Sequence, residues 1–428
     1  MKTLVKNANI ITCDGDKIIY NGNMGYEDKK IVFVGENIPD GFHADEVIDA
    51  KSNTVMPGLI NAHSHVAMTI LRSYSEGYSL QKWLTEKIFP IEDKLTADQT
   101  YFATLLGIAE SVKFGTTCIN DCYFFMDRAA DAYIESGLNA NISRCIMNGE
   151  EKEEFPDDYR IKEQIALYEK YDRAADDLIR VEVFPHAVYT CSFGYLKTAA
   201  RLAEKYNMPI ASHLCENRTE VSDCIAKYKK TPVEVYKEAG LLEREASFAH
   251  CVVLNDNDIS LLKGHSVVHN PISNLKLGSG VADVIKYERN GINVALGTDG
   301  ASSNNNLNMF EEMRVAALLM SGIGGDPSLV DPYKVIKMAT SNGAKAMGRK
   351  AKGILKEGYD ADYIIVDVSG PHHYPHHNIV NNIVYTAQGS DVIKTVAGGK
   401  VLYDRGEYKT IDIEKVGYEI MRIKKELF

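Results

Sequence analysis

Val55-Met56-Pro57-Gly58-Leu59-Ile60-Asn61-Ala62-His63-Ser64-His65 is an apolar run that ends on two histidines separated by one residue. Side chains two apart on a strand share a face, so a strand here aims both imidazoles at one point beyond its carboxyl end. That is half of a metal site. Further ligands and an acid/base group must come from other strand ends, and His213, Glu216, His250 and Asp299 are placed to supply them.

Working outward, short buried-strand patterns occupy residues 116–121, 139–147, 179–186, 209–216, 246–254, 266–270 and 292–299. With the strand before His63 they number eight. Stretches of helical length and spacing, among them 97–113, 161–171, 195–206, 281–289 and 307–320, lie between them. Strand followed by helix, eight times over, predicts an α/β chain folded as a (β/α)8 TIM-like barrel. The flanks differ: residues 1–56 and 350–428 hold short strands joined by turns such as Cys13-Asp14-Gly15-Asp16 and Gly398-Gly399-Lys400. They are expected to form a second, smaller β-sandwich domain from both chain ends, beside a catalytic barrel at 57–349. A helix at 414–427 should pack on the outside.

In such a barrel the loops at the carboxyl face of the strands build the active site. His63 and His65 end the first strand, His186 the fourth and His213 the fifth, His250 lies on the sixth, and Asp299 closes the eighth. Three imidazoles and a carboxylate suit zinc or iron, with a position left for water. The fourth-strand segment Arg180-Val181-Glu182-Val183-Phe184-Pro185-His186 has no lysine to bridge a second ion, so a mononuclear site is expected.

Composition narrows the function classes. The 428 residues are 45% hydrophobic and 25% charged, with no long apolar run, so neither disorder nor a membrane span is indicated. A formal net charge of -11 would repel nucleic-acid phosphates and leaves a small molecule as the expected partner. The opening Met1-Lys2-Thr3-Leu4-Val5-Lys6-Asn7-Ala8 lacks the apolar core of a signal peptide, and the eight cysteines contain no Cys-x-x-Cys pair. Reduced thiols and a cytoplasmic location are the expectation.

The segments Pro57-Gly58-Leu59-Ile60-Asn61-Ala62-His63-Ser64-His65, Ser212-His213-Leu214-Cys215-Glu216, Ala249-His250-Cys251, His269-Asn270-Pro271-Ile272-Ser273-Asn274-Leu275-Lys276-Leu277 and Gly297-Thr298-Asp299-Gly300-Ala301-Ser302-Ser303-Asn304-Asn305 together resemble the amidohydrolase superfamily. More narrowly, they resemble its 5-methylthioadenosine/S-adenosylhomocysteine deaminases, over nearly the whole chain. The resemblance implies one divalent metal ion per subunit, zinc with iron as the alternative, held by His63, His65, His213 and Asp299. Such an ion lowers the pKa of bound water and makes hydroxide available for attack at C6 of an adenine. Glu216 would protonate the ring nitrogen and pass protons to the leaving ammonia, His250 would orient the attacking oxygen, and Asp299 would take the proton that water sheds.

The resemblance also implies substrate contacts. Trp83 would stack on a purine or thioether, Glu92 would grip the ribose hydroxyls, Arg144 and Arg160 would meet an amino-acid tail or nearby groups, and His186 would touch the ribose or purine edge. The implied substrate is S-adenosylhomocysteine, 5'-methylthioadenosine or a related adenosine, converted to its inosine form, by a homo-oligomer without nucleic-acid or membrane partners. Two other readings are a hydrolase for a guanine, cytosine or triazine ring and a non-catalytic relative. Glu92, Arg144 and Trp83 favour a ribosylated purine over the first, and the retained ligand set with Glu216 argues against the second. Cys215 is expected to point into the helix layer, His269 to form a wall of the site, and Pro371-His372-His373-Tyr374-Pro375-His376-His377 to be an exposed loop of adventitious or structural use.

Overall fold

The His63 run is buried on both faces, as the strands of a helix-covered parallel barrel are. The computed structural model describes residues 1–428. The chain opens with β1 (Lys2–Ile11), β2 (Ile18–Glu27), β3 (Lys30–Gly35), β4 (Glu46–Asp49) and β5 (Thr54–Pro57). The barrel strands follow as β6 (Leu59–Ser64), β7 (Thr116–Tyr123), β8 (Asn139–Ile146), β9 (Ile179–Val181), β10 (Phe184–Pro185), β11 (Ile210–Leu214), β12 (Ala246–His250), β13 (Ser266–His269) and β14 (Asn293–Leu296).

One parallel arc runs β6-β7-β8, with β9 and β10 both on β8, and a second runs β11-β12-β13-β14. The arcs close on each other where the Ala211 N–H donates to Val183 O and the Asp299 N–H to His63 O, each at 3.0 Å. Closure needs Gly297: a Cβ there would lie 2.8 Å from the backbone N and O of His63. The fourth strand is broken in two, not continuous over 179–186 as expected. Val183 turns from one neighbour to the other, donating to Pro209 O, while Glu182 still donates to Ile142 O.

Helix boundaries follow caps that hydrophobic spacing does not show. Ala97–Lys113 is as expected. Tyr159–Tyr171 and Phe193–Tyr206 start two residues early because Asp158 and Ser192 cap them. Val284–Arg289 begins late, at the Asp283 cap, and Met309–Gly324 begins after Asn308. All eight cysteines are buried free thiols, and no helix is long and apolar enough to cross a membrane.

The remaining strands, β15 (Tyr363–Val366), β16 (Val392–Ala397), β17 (Lys400–Asp404) and β18 (Glu407–Tyr408), join β1 to β5 in one nine-stranded sheet. Within it β5 lies between β1, parallel, and β15, antiparallel, so the two chain ends are interleaved. The sheet curls until Tyr26 on β2 and Tyr363 on β15 meet with ring centroids 5.9 Å apart. The terminal helix Ile413–Leu427 rests on Ala97–Lys113, where Gln99 donates to Glu426 at 3.0 Å.

Arg349 is the largest fully buried side chain. Its guanidinium donates to Asn141 Oδ1 at 2.7 Å, Ala140 O at 2.6 Å, Asp177 O at 2.5 Å and Leu178 O at 3.0 Å. It ties the start of β8 to the turn before β9. Truncation would strand those acceptors in the interior, so Arg349→Ala is expected to destabilise the fold by about 3 kcal/mol or more. A denaturant midpoint shift worth less than about 1 kcal/mol would contradict this role.

Candidate active site

The strand ends bring four donors to one place. His63 Nε2 lies 3.6 Å and His65 Nε2 3.4 Å from Asp299 Oδ1, and His65 Nε2 is 3.2 Å from His213 Nε2. The ligand atoms of the three histidines all lie within 4.8 Å of one another. The other ring nitrogens are committed: the His65 Nδ1–H donates to Cys122 O at 2.8 Å and the His213 Nδ1–H to His186 O at 2.9 Å. Both Nε2 atoms therefore present lone pairs, and two lone pairs 3.2 Å apart repel unless a cation lies between them. His63 Nε2 is likewise buried with no partner. These residues fit a divalent metal ion.

Electrostatics agree with that donor set. Burial lowers the His63 pKa to about 4 and the His213 pKa well below the usual imidazole range, so both rings are neutral and able to ligate. Burial opposes ionisation of Asp299, yet the facing imidazoles, His63 first, hold its carboxyl well below the usual range. Asp299 is braced by Ser273 Oγ at 2.6 Å, Ser303 Oγ at 2.9 Å and its neighbour's Gly300 N–H at 2.7 Å. Beneath the histidines Phe184 stacks on His63, with centroids 6.0 Å apart at 14°, filling the fourth-strand position with a ring that cannot ligate.

Glu216 sits across the cluster, its Oε2 3.9 Å from His250 Nε2. Burial first, then the Asp299 charge, pushes its carboxyl well above the usual range, which favours its protonated form. His250 is oriented by donating Nδ1–H to Asn274 Oδ1 at 2.8 Å. The backbone here is strained: Cys215, His250, Cys251 and Asp299 have φ of 51°, 72°, 49° and 63°. Such left-handed non-glycine residues cost roughly 1–3 kcal/mol each and persist where surroundings fix them.

Glu220 fixes one of these turns, accepting from the Cys215 N–H at 3.1 Å and the Glu216 N–H at 2.7 Å. Sequence reading missed Glu220. Its signal was the capping spacing Asn217-x-x-Glu220 at the start of the helix Arg218–Tyr228, which marks a helix end and not an active-site brace. Ser273, Ser303 and Asn274 lay inside the quoted motifs, but nothing in them distinguished these side chains from their neighbours.

A central pocket is lined by His65, His213, Asp299, Glu216, His250, His186, Trp83 and Glu92. The same helical stretch after β6 brings in Trp83 and Glu92. Both are buried, and Trp83 Nε1 and Glu92 Oε1 have no hydrogen-bond partner. Arg144 and Arg160 stand apart from that pocket, in an outer chamber of about 1000 Å³ that shares Phe89, Glu92, Phe124 and Met147 with it. Arg144 is paired with Glu163 at 2.8 Å, and Arg160 donates to Met147 O and faces Asp158 at 3.5 Å. His269 is absent from the central pocket; it lines a separate cavity of about 210 Å³ with Ala282 and Val284. Its side chain faces outward because only alternate residues of β13 face the barrel interior. Cys215 is packed in the core.

Burial raises the Glu92 pKa from an ordinary 4.5 to about 7. The folded chain keeps this proton over a range where the unfolded chain loses it, so stability falls as pH rises from about 4.5 to 7 and stays lower above. Without substrate, Glu92→Gln is expected to melt with wild type at pH 4 and to gain roughly 3 kcal/mol at pH 8. Parallel melting curves at both pH values would remove this account of Glu92.

A (β/α)8 barrel with three imidazoles and a carboxylate converging at its strand ends defines a metal-dependent hydrolase. The amidohydrolase family pattern matches residues 54–402. Over 100% of its length the chain is 41% identical to the 5-methylthioadenosine/S-adenosylhomocysteine deaminase of Caldanaerobacter subterraneus, covering 99% of that protein, and 42% identical to that of Acetivibrio thermocellus, covering all of it. The 5'-deoxyadenosine deaminase of Methanosarcina acetivorans is 41% identical over 99% of this chain and 98% of its own. The crystal structure of an adenosine deaminase from Xanthomonas campestris with bound zinc has a TM-score of 0.93 at 29% identity, over 99% of this chain and 98% of that one. The chain belongs to the amidohydrolase family and, within it, to the 5-methylthioadenosine/S-adenosylhomocysteine deaminases.

Proposed function

We propose that this protein hydrolyses the 6-amino group of a 5'-substituted adenosine, such as S-adenosylhomocysteine, 5'-methylthioadenosine or 5'-deoxyadenosine, releasing ammonia and the inosine form. One arrangement carries the reading: Glu216, its carboxyl shifted up by burial, and Asp299, its carboxyl shifted down by the facing imidazoles, meet in one pocket beside three imidazoles with free Nε2 atoms. His63, His65, His213 and Asp299 would hold one divalent ion, zinc. Bound there, such an ion polarises water and makes a nucleophile available near neutral pH.

The chain's own groups do the proton work. Glu216 gives its proton to a ring nitrogen of the adenine, which makes C6 electron-poor, and Asp299 Oδ1 accepts a proton from the attacking water. Glu216, now ionised, takes the remaining proton of the added hydroxyl as C6 becomes a carbonyl and passes it to the amine, which leaves as ammonia, and the proton held by Asp299 restores Glu216. His250, held by Asn274, steadies the oxygen being added.

The outer parts of the pocket would select the nucleoside. Trp83 offers an aromatic face for the purine or thioether. Glu92, buried with an unpartnered oxygen, would accept from both ribose hydroxyls, and His186 would touch the purine or ribose edge. Arg144 and Arg160 border the chamber that a 5' substituent would enter.

The test is loss of adenine absorbance across a panel of 5'-substituted adenosines, with and without a chelator. No change with any member would refute the proposal. Glu92→Gln is expected to lose about 10–100-fold in kcat/KM on ribonucleosides, the worth of hydrogen bonds to a charged group, but little on 2',3'-dideoxyadenosine. Equal losses on both would remove the ribose role.

A further inference from the structure

We propose that His372, His373 and Asp391 form a second divalent-cation site, for a zinc-like ion, on the connection between β15 and β16. None of the three lines the central pocket or the outer chamber. His372 Nε2 and His373 Nε2 each lie 3.2 Å from the same oxygen, Asp391 Oδ2, and the three ligand atoms fall within 4.8 Å of one another. Ligands about 2.0–2.1 Å from a tetrahedral zinc ion are separated by roughly 3.3–3.4 Å, so both histidine-to-carboxylate separations are compatible with a shared ion as well as with hydrogen bonds.

The tautomer is set for ligation. Asn382 Nδ2 donates to His373 O at 3.0 Å, which fixes the amide and leaves its Oδ1 to accept the His373 Nδ1–H at 2.5 Å. His373 Nε2 then turns a lone pair, on a side chain with no exposure, toward a carboxylate oxygen. With that tautomer the contact is repulsive unless a metal ion or a second ring proton joins the two atoms. The loop is shaped for it too: a Cβ on Gly370 would lie 2.7 Å from His372 Cε1, so glycine lets that ring fold over the backbone. The sequence expectation of an exposed loop is therefore correct for His376 and His377 and incorrect for His373, which is buried.

An ion here would staple residues 370–373 to the start of β16. Two imidazoles and one carboxylate suit a borderline ion such as zinc, and the 40% exposure of the His372 side chain leaves room for water as a fourth ligand. A proton on His373 Nε2 would satisfy the contact without an ion, and it predicts no second equivalent.

The experiment is zinc titration of the full-length protein after metal removal, read by elemental analysis of the desalted protein. Wild type should retain two equivalents per chain, and His372→Ala and Asp391→Asn one each with deaminase activity unchanged. His213→Ala should lose the barrel equivalent and keep this one, and a His376→Ala/His377→Ala protein should keep both. One equivalent in wild type, or two in His372→Ala, would overturn the proposal. Loss of the second equivalent in His376→Ala/His377→Ala would overturn it as well, by showing general capture by a histidine-rich tract. Because His213→Ala reports on the barrel separately, failure of this proposal is distinguishable from failure of the catalytic one.

Discussion

A Glu216→Gln protein is expected to turn over about 10²–10⁴-fold more slowly than wild type while binding the same amount of barrel metal. The substitution keeps the shape of the side chain and the Glu220 hydrogen bonds to the Cys215 and Glu216 N–H groups, which are backbone contacts. It removes only the transferable proton. Steady-state kinetics and metal analysis on one preparation separate the roles: an unchanged kcat would eliminate Glu216 as the proton donor, and parallel loss of metal would make it a structural or ligating group. The pH profile adds a signed expectation. Burial raises the Glu216 pKa, and its protonated form is the active one, so the wild-type rate falls as pH rises through that value. In Glu216→Gln that alkaline limb should vanish.

Asp299→Asn is expected to lose at least about 10³-fold in kcat/KM, and unlike Glu216→Gln it should also weaken metal retention. Asparagine tolerates the φ of 63° at this position as well as aspartate does, and its Oδ1 can still accept from the Gly300 N–H. The fold is therefore expected to survive, as a thermal melt in the metal-free state can verify. What disappears is the only anionic donor facing His63 and His65 and the acceptor for the proton from water. Retention of wild-type metal content and rate would refute both assignments to Asp299.

Much of this was legible because two periodicities are local. The spacing His63-x-His65 places both rings on one strand face, and in the structure their centroids are 4.9 Å apart. The run of apolar strands with helices between them indicated the barrel, and strand ends indicated where donors would gather. The fourth strand was misread as continuous, because the turn at Val183 answers to hydrogen bonds with β8 on one side and residue 209 on the other. Helix starts at Asp158, Ser192, Asp283 and Asn308 were displaced for a related reason: a cap satisfies backbone donors that hydrophobic spacing ignores.

The alternation of strands and helices and the identity of the donors could be read from the chain alone, since both follow from residue type and spacing within a few positions. Tertiary structure alone decided that Glu220 would hold the Glu216 turn, that Arg349 would gather four acceptors from two segments, and that His373 would be buried against Asp391 while its neighbours stayed exposed. The physical reason is range. Side-chain periodicity acts along a few residues, whereas burial and hydrogen bonding to distant backbone depend on which surfaces the closed barrel and the interleaved sheet bring together.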